Sequence, residues 1–297
     1  MDADSRVILL TSNTMAAAAH PVRTLRELVT SLEAAMTVTL ASPKPKAVHR
    51  LRTTTRRIEA QLELFTLLPN LPNHAKPAKK ARKLLRKIRR AAGRVRDLDV
   101  QRDLTSSRSN DANQLRDLFK QQRDEAVKSL LDAIDKHQLK LARSLESLLE
   151  ILAAAEPLAL SADQIAQLTL HWYAHNSPAS AKQNQRQLHD IRKAAKLARY
   201  IAESAVPTSP SGAKQRSTPA HRLAIAFESL QQSGGDWHDW LTLSGIAHRE
   251  LSGSSPLTQS FKRRCERSLA DYQRHLKSLP KKIPGLRPPT ADSHAEI

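Results

Sequence analysis

VHRLRTTTRRIEAQLELF, residues Val48–Phe65, is the stretch on which the fold turns. Wound as a helix at about 100° per residue, it separates into two faces. With His49 set at zero, Leu51, Thr55, Ile58 and Leu62 fall between about 180° and 240° and form a stripe for burial. His49, Arg52 and Arg56 fall within about 60° of one another on a different face, with Arg57 to one side. The positive charge is therefore gathered away from the surface that enters the core.

The pattern returns 140 residues later as LHDIRKAAKLARYIAE, Leu188–Glu203. There His189, Arg192, Lys196 and Arg199 span an arc of about 80°, with Lys193 beside them. Leu188, Ile191, Ala195 and Ala198 take the apolar side. Further on, Gly93-Arg94-Val95-Arg96-Asp97 matches Gly235-Asp236-Trp237-His238-Asp239, and the step from histidine to glycine is 44 residues in the first case and 46 in the second. The simplest account is an internal duplication, with halves of about 16–155 and 156–279. Each half is a small antiparallel helical bundle. A pseudo-two-fold relation between them would bring the two basic faces together around a central cavity.

Composition supports an all-α chain. Glycine is rare at 7 of 297 residues and aromatics make up 3%, while Ala, Leu, Arg, Lys and Gln abound. These are strong helix formers, and the β-branched and aromatic residues that favour strands are scarce. Periodicity places a helix from Pro21 to about Leu40, buried through Val22, Leu25, Leu28, Val29, Leu32, Ala35 and Met36. The basic helix that follows the opening stretch starts near Lys76. Gly93 marks a break in it, ahead of a short further helix. A long mixed-charge pattern runs over 113–155, with an interruption near His137. Ser161 to Gln164 reads as a capped helix start. The helix beginning near Thr218 is expected to stop at Gly234-Gly235. The last helix covers about Leu257 to Ser278. Residues 1–15, the Pro/Ser-rich 206–219 and the Pro-rich 280–297 read as tails and a loop.

Charge narrows the function. The chain carries 48 Lys+Arg against 29 Asp+Glu, a net +19. Self-repulsion on that scale destabilises a compact state unless a polyanion offsets it. Lys76–Arg96 alone holds eleven Lys/Arg and no acid. Lys83, Arg86, Lys87, Arg90 and Arg96 are its candidate ligand residues, while Leu84, Leu85, Ile88, Ala92 and Val95 form its apolar face. The lone Cys265 excludes an intrachain disulfide and fits a reducing compartment. The apolar run Val7–Leu10 is too short for a secretory core, and no run of apolar residues is long enough to span a membrane. The expected setting is cytoplasmic.

Three features together resemble the CHAD family, the conserved histidine α-helical domain. They are H-x-x-R-x-x-x-R-R leading a helix, a basic helix ending in G-R-V-R-D-L-D-V, and L-H-x-x-R-x-x-x-K-x-x-R-Y. The resemblance covers about residues 16–279. It implies an all-α fold of two pseudo-symmetric helical bundles with a basic central cavity that binds inorganic polyphosphate. On that pattern His49, Arg52, Arg56 and Arg57 match the first motif, and His189, Arg192, Lys196 and Arg199 the second. The sequence departs from it in four places. Glu59 and Glu228 stand where basic residues are usual, Leu197 replaces a second basic residue, and Trp237-His238-Asp239 replaces a plainer run. The first half is therefore expected to carry more of the charge.

The chemistry suits a phosphate chain. Arg offers a planar, permanently charged fork, and Lys a mobile point charge. Released counterions add a salt-sensitive gain. A histidine among phosphates is drawn toward its protonated form. Polyphosphate, with polyphosphate or polyester granules as possible assemblies, is the expected partner. A nucleic-acid-binding protein is the alternative, against which stands the sparseness of aromatics for stacking. An enzyme is not expected, nor a cofactor or bound metal. His171 and His175 have i, i+4 spacing without the glutamate of a zincin, the His238-Asp239 pair has no recognisable companions, and no Gly-rich phosphate loop occurs. Asp97, Asp99 and Asp239 are read as helix caps or as acids that orient arginines, and Trp237 and Trp240 as packing residues.

Overall fold

The computed structural model describes residues 18–178, 184–205 and 218–283. The expected tail at 1–15, all but the first four residues of the tail expected at 280–297, and most of the Pro/Ser-rich loop lie outside them. Eight α-helices make up the described residues, and no strand occurs among them: α1 Pro21–Ala41, α2 Pro45–Thr66, α3 Ala75–Leu104, α4 Asn110–Ile151, α5 Ala162–Asn176, α6 Gln185–Glu203, α7 Pro219–Glu250 and α8 Pro256–Lys282. Helix starts follow local chemistry. Ser161 and Gln164 close a capping box at α5, and Asn184 and Gln187 another at α6, each satisfying two free backbone N–H groups. Proline stands at the first turn of α1, α2, α7 and α8, where its missing N–H costs nothing.

The apolar stripes behave as their periodicity requires. On α2, Leu51, Thr55, Ile58 and Leu62 are fully buried, and on α6 Leu188, Ile191, Ala195 and Ala198 are buried. Two cores result. One gathers α1 to α4, with Leu243, Ala247 and Phe261 reaching in from α7 and α8. The other gathers α5 to α8, with Ala19, Ala60 and Leu64 reaching in from the first half. The two groups meet where α2 packs on α6. A two-residue antiparallel bridge, Ala19 with Leu160, ties the approach to α1 to the approach to α5 through N–H···O bonds of 2.9 and 2.8 Å.

Four expected interruptions are absent. α3 runs unbroken through Gly93, α4 through His137, α7 through Gly234 and Gly235, and α8 through Pro280. An interior glycine costs a helix only about 1 kcal/mol, and tertiary contact outweighs that here. A Cβ on Gly234 would lie 2.8 and 2.9 Å from the Tyr272 ring and 3.1 Å from Cγ of Arg192, whereas one on Gly235 would meet nothing within 4 Å. Tyr272 cannot retreat. It is fully buried, stacks on Trp237 at 5.7 Å, and donates its hydroxyl to the Leu188 carbonyl at 3.0 Å. Gly234→Ala is therefore expected to destabilise the fold by about 1–3 kcal/mol through overpacking. Gly235→Ala should stabilise it by up to about 1 kcal/mol through helix propensity. Urea unfolding of the two variants checks the contrast, and equal stabilities would refute it.

Candidate anion-binding seam

α2 and α6 lie side by side with their basic faces turned to one another, and α3 and α7 flank them. The motif positions meet across the seam. Arg52 and Arg56 act on the charge of Lys196, and Arg52 acts on that of Arg192. Each basic helix also meets its own flanking helix in the same way. Arg96 on α3 acts on His49, and His238 on α7 stands 4.9 Å from His189, ring to ring. Nη2 of Arg52 is 4.0 Å from Asp97, and Asp239 is the strongest influence of opposite charge on Arg192. Arg96 and Asp97 thus lie beside α2, and His238 and Asp239, which they match in sequence, lie beside α6. Of the two adjacent glycines, Gly234 rather than Gly235 lies against Arg192.

Cations outnumber acids in the seam. Lys196 lies largely buried among Arg52, Arg56, Arg192 and Arg199, and among the described residues no carboxylate pairs with it. Burial first, and then those four guanidiniums, lower its pKa to about 7. The Nε atoms of Arg56 and Arg192 are buried without a hydrogen-bond partner, as is Nδ1 of His238. Burial, with Arg89 next in effect, takes Arg56 down to about 10, even though Glu59 accepts from its Nη1 at 3.3 Å. Burial also takes His238 down to about 4, with Arg192 and His189 adding to the shift. His49 and His189 are lowered too, by partial burial and then by neighbouring cations. His49 keeps an open side to water. Asp239 is held up at about 6 by burial, a shift that Arg192 opposes and Asp97 reinforces. Buried N–H donors without acceptors are costly and call for an oxyanion.

Acids close one end of the seam. Glu59 takes both Arg56 and Arg89. Glu203 takes Arg57 at 3.6 Å and Arg199 at 2.6 Å, and Glu228 takes Arg199 at 3.0 Å. The two glutamates that depart from the basic pattern in sequence therefore act as counterions that fix arginines. Arg57 turns out of the seam toward a separate cavity of about 690 Å³, which it lines with Tyr200, Glu203 and His20.

The candidate residues divide accordingly. The structure brings His49, Arg52, Arg56, Arg96, His189, Arg192, Lys196 and Arg199 together. Lys193 sits exposed at the rim, 3.1 Å from Asp190, within electrostatic reach of His189 and His238. Lys83, Arg86, Lys87 and Arg90 do not converge with them. All four are exposed on α3, and Lys87 faces His137 on α4. Arg89, not singled out by its sequence position, reaches Glu59 at the seam instead. Asp99 orients an arginine, as one of its two readings required. Its Oδ1 accepts from Nε of Arg123 at 2.6 Å, and because α3 is continuous it caps no helix. Trp237 is buried in the second core, and Trp240 packs against Phe261. His171 and His175 stack on α5 with ring centroids 4.2 Å apart, and Nδ1 of His175 lies 2.8 Å from the His171 carbonyl oxygen. No helix among the described residues is long and apolar enough to cross a membrane.

Comparison with known proteins agrees with this architecture. The family model of the CHAD domain matches residues 23–248. Among solved structures, the CHAD domain from the plant Ricinus communis is similar at a TM-score of 0.60 and 18% identity, over 93% of this chain and 95% of that one. PptA from Streptomyces chartreusis is similar at 0.57 and 14% identity, over 88% of this chain and 100% of that one. No curated protein matches the chain significantly. The match spans most of the chain and takes in both histidine-led helices, so the chain belongs to the CHAD family.

Proposed function

We propose that the chain binds inorganic polyphosphate at the α2–α6 seam and holds it without turning it over. One observation carries the reading. Lys196, Arg56 and Arg192 are largely buried cations, and the Nε donors of the two arginines have no acceptor. A flexible polyanion without bases would satisfy several such donors at once and offset their mutual repulsion. Storage of the polymer, or attachment to granules of it, is the corresponding role. Titration with long-chain polyphosphate, with duplex DNA, RNA and ATP as competitors, tests the binding. Equal or tighter binding of nucleic acid would overturn it. Phosphate release in the presence of Mg²⁺ or Mn²⁺ would overturn the non-enzymatic part.

The same titration has a proton signature. With its pKa near 7, Lys196 is about half charged in the empty protein at pH 7. A bound polyanion draws it to full charge, so binding should take up as much as about half a proton from this group at pH 7 and weaken as pH rises toward 9. Calorimetry in buffers of different ionisation enthalpy reads the uptake directly. The empty protein should move the other way. The unfolded lysine holds its proton up to about 10.5 while the folded one releases it near 7, so this group adds stability as pH rises between those values. Proton-independent binding would remove Lys196 from the site.

A further inference from the structure

α3 carries its positive charge on two distinct faces. Toward α2, two of its arginines are matched by glutamates, Arg82 with Glu63 at 3.2 Å and Arg89 with Glu59. Away from α2, Lys79, Lys83, Arg86, Arg90 and Arg94 are all exposed, and among the described residues no acid pairs with any of them. Their spacing of four, three, four and four residues stacks them into one row along the helix. At 1.5 Å per residue the row is roughly 22 Å long. Like charges at i, i+4 destabilise a helix, and so do cations near its N-terminus. The first turn of α3 nevertheless contains no acid. The energetic burden is concentrated on one solvent-facing row, although glutamates of α2 supply partners to Arg82 and Arg89 on the helix's other basic face.

The row flanks the seam. Gly93 of α3 lies against Arg52, with 3.7 Å between an added Cβ and Nε; Arg89, within the row's length, and Arg96, just past its end, meet groups of α2. No aromatic residue or histidine occurs anywhere from Ala75 to Leu104. A single-stranded nucleic acid would therefore find no stacking platform here, whereas a bare phosphate chain needs only a line of cations.

We infer that the exposed row on α3 is a second contact surface for polyphosphate, an external track that continues the seam and makes the chain selective for long polymers. The inference rests on the seam being a polyphosphate site. A short chain fills the seam alone. A long one leaves it and lies along α3, gaining several further charge contacts and the counterions they release.

The test is the triple variant Lys83→Ala, Arg86→Ala, Arg90→Ala in the full chain, titrated with tripolyphosphate and with polyphosphate of roughly a hundred units. These side chains are exposed, so helicity should be unchanged. Tripolyphosphate affinity should stay within about twofold of wild type. Long-chain affinity should fall at least about tenfold, and the slope of log K against log salt should shrink by roughly two to three. A control triple variant on α8, Lys262→Ala, Arg263→Ala, Arg267→Ala, removes the same charge elsewhere. The inference is overturned if the control loses as much, if both polymers weaken equally, or if long-chain binding is unaffected. Tighter binding of RNA than of polyphosphate to the row would also overturn it. A wild-type chain that bound neither polymer would overturn the seam assignment itself, an outcome distinct from a variant that behaves like wild type.

Discussion

Replacing Arg52 and Arg192 together by alanine is expected to weaken polyphosphate binding by about a hundredfold or more and to leave the helix content intact. A hydrogen bond to a charged group is worth about 1.5–3 kcal/mol, and two such losses amount to two decades or more in affinity at 1.4 kcal/mol per decade. The two arginines are the matched residues of the histidine-led helices and lie within electrostatic reach of each other. In the empty protein they repel one another and Lys196. Relief of that repulsion offsets the lost contacts with Asp97 and Asp239, so the melting temperature of the empty chain should stay nearly level. A large loss of affinity beside an unmoved melting temperature separates a binding role from a structural one. A variant that loses affinity and also melts early would show that these arginines hold the fold.

Asp99→Ala is expected to act through stability alone, at about 3–5 kcal/mol, with a much smaller effect on the affinity of whatever remains folded. Asp99 is 2% exposed, and its carboxylate fixes Arg123, whose Nη2 also donates to the Pro43 carbonyl at 3.0 Å. This one contact set joins α3, α4 and the short connection between α1 and α2. Removing the carboxylate leaves a mostly buried guanidinium with a single neutral acceptor. Guanidinium chloride unfolding gives the loss directly. A loss under about 1 kcal/mol would mean that Arg123 swings to solvent and that the pair is dispensable.

The faces of the helices were legible in sequence, and their rotations about α3 were not. Period alone placed Leu51, Ile58 and Leu62 in the core and His49, Arg52 and Arg56 opposite them, because one face of an amphipathic helix must be dry. The same logic could not divide the basic face of α3. Its division depends on Glu59 and Glu63, which sit on another helix and draw in Arg82 and Arg89 while leaving Lys83 and Arg86 outside. Local rules also placed breaks at Gly93 and at Gly234. A glycine signals a break in isolation, whereas here it admits the Arg52 side chain in one case and the Tyr272 ring in the other. His238 was legible only through its match to Arg96 in sequence, since nothing in its own helix marks it.

The seam also sets a limit on how far this chain can be improved. Where the two halves of the bundle meet at α2 and α6, cations outnumber the acids that face them, so the middle of the molecule is frustrated whenever it is empty. Substitutions that relieve the frustration, such as a neutral residue at 196 or at 192, would be selected in any screen for heat resistance, and each would erase part of the anion site. Thermal hardening and ligand capture draw on the same few positions, and gains in one should appear as losses in the other.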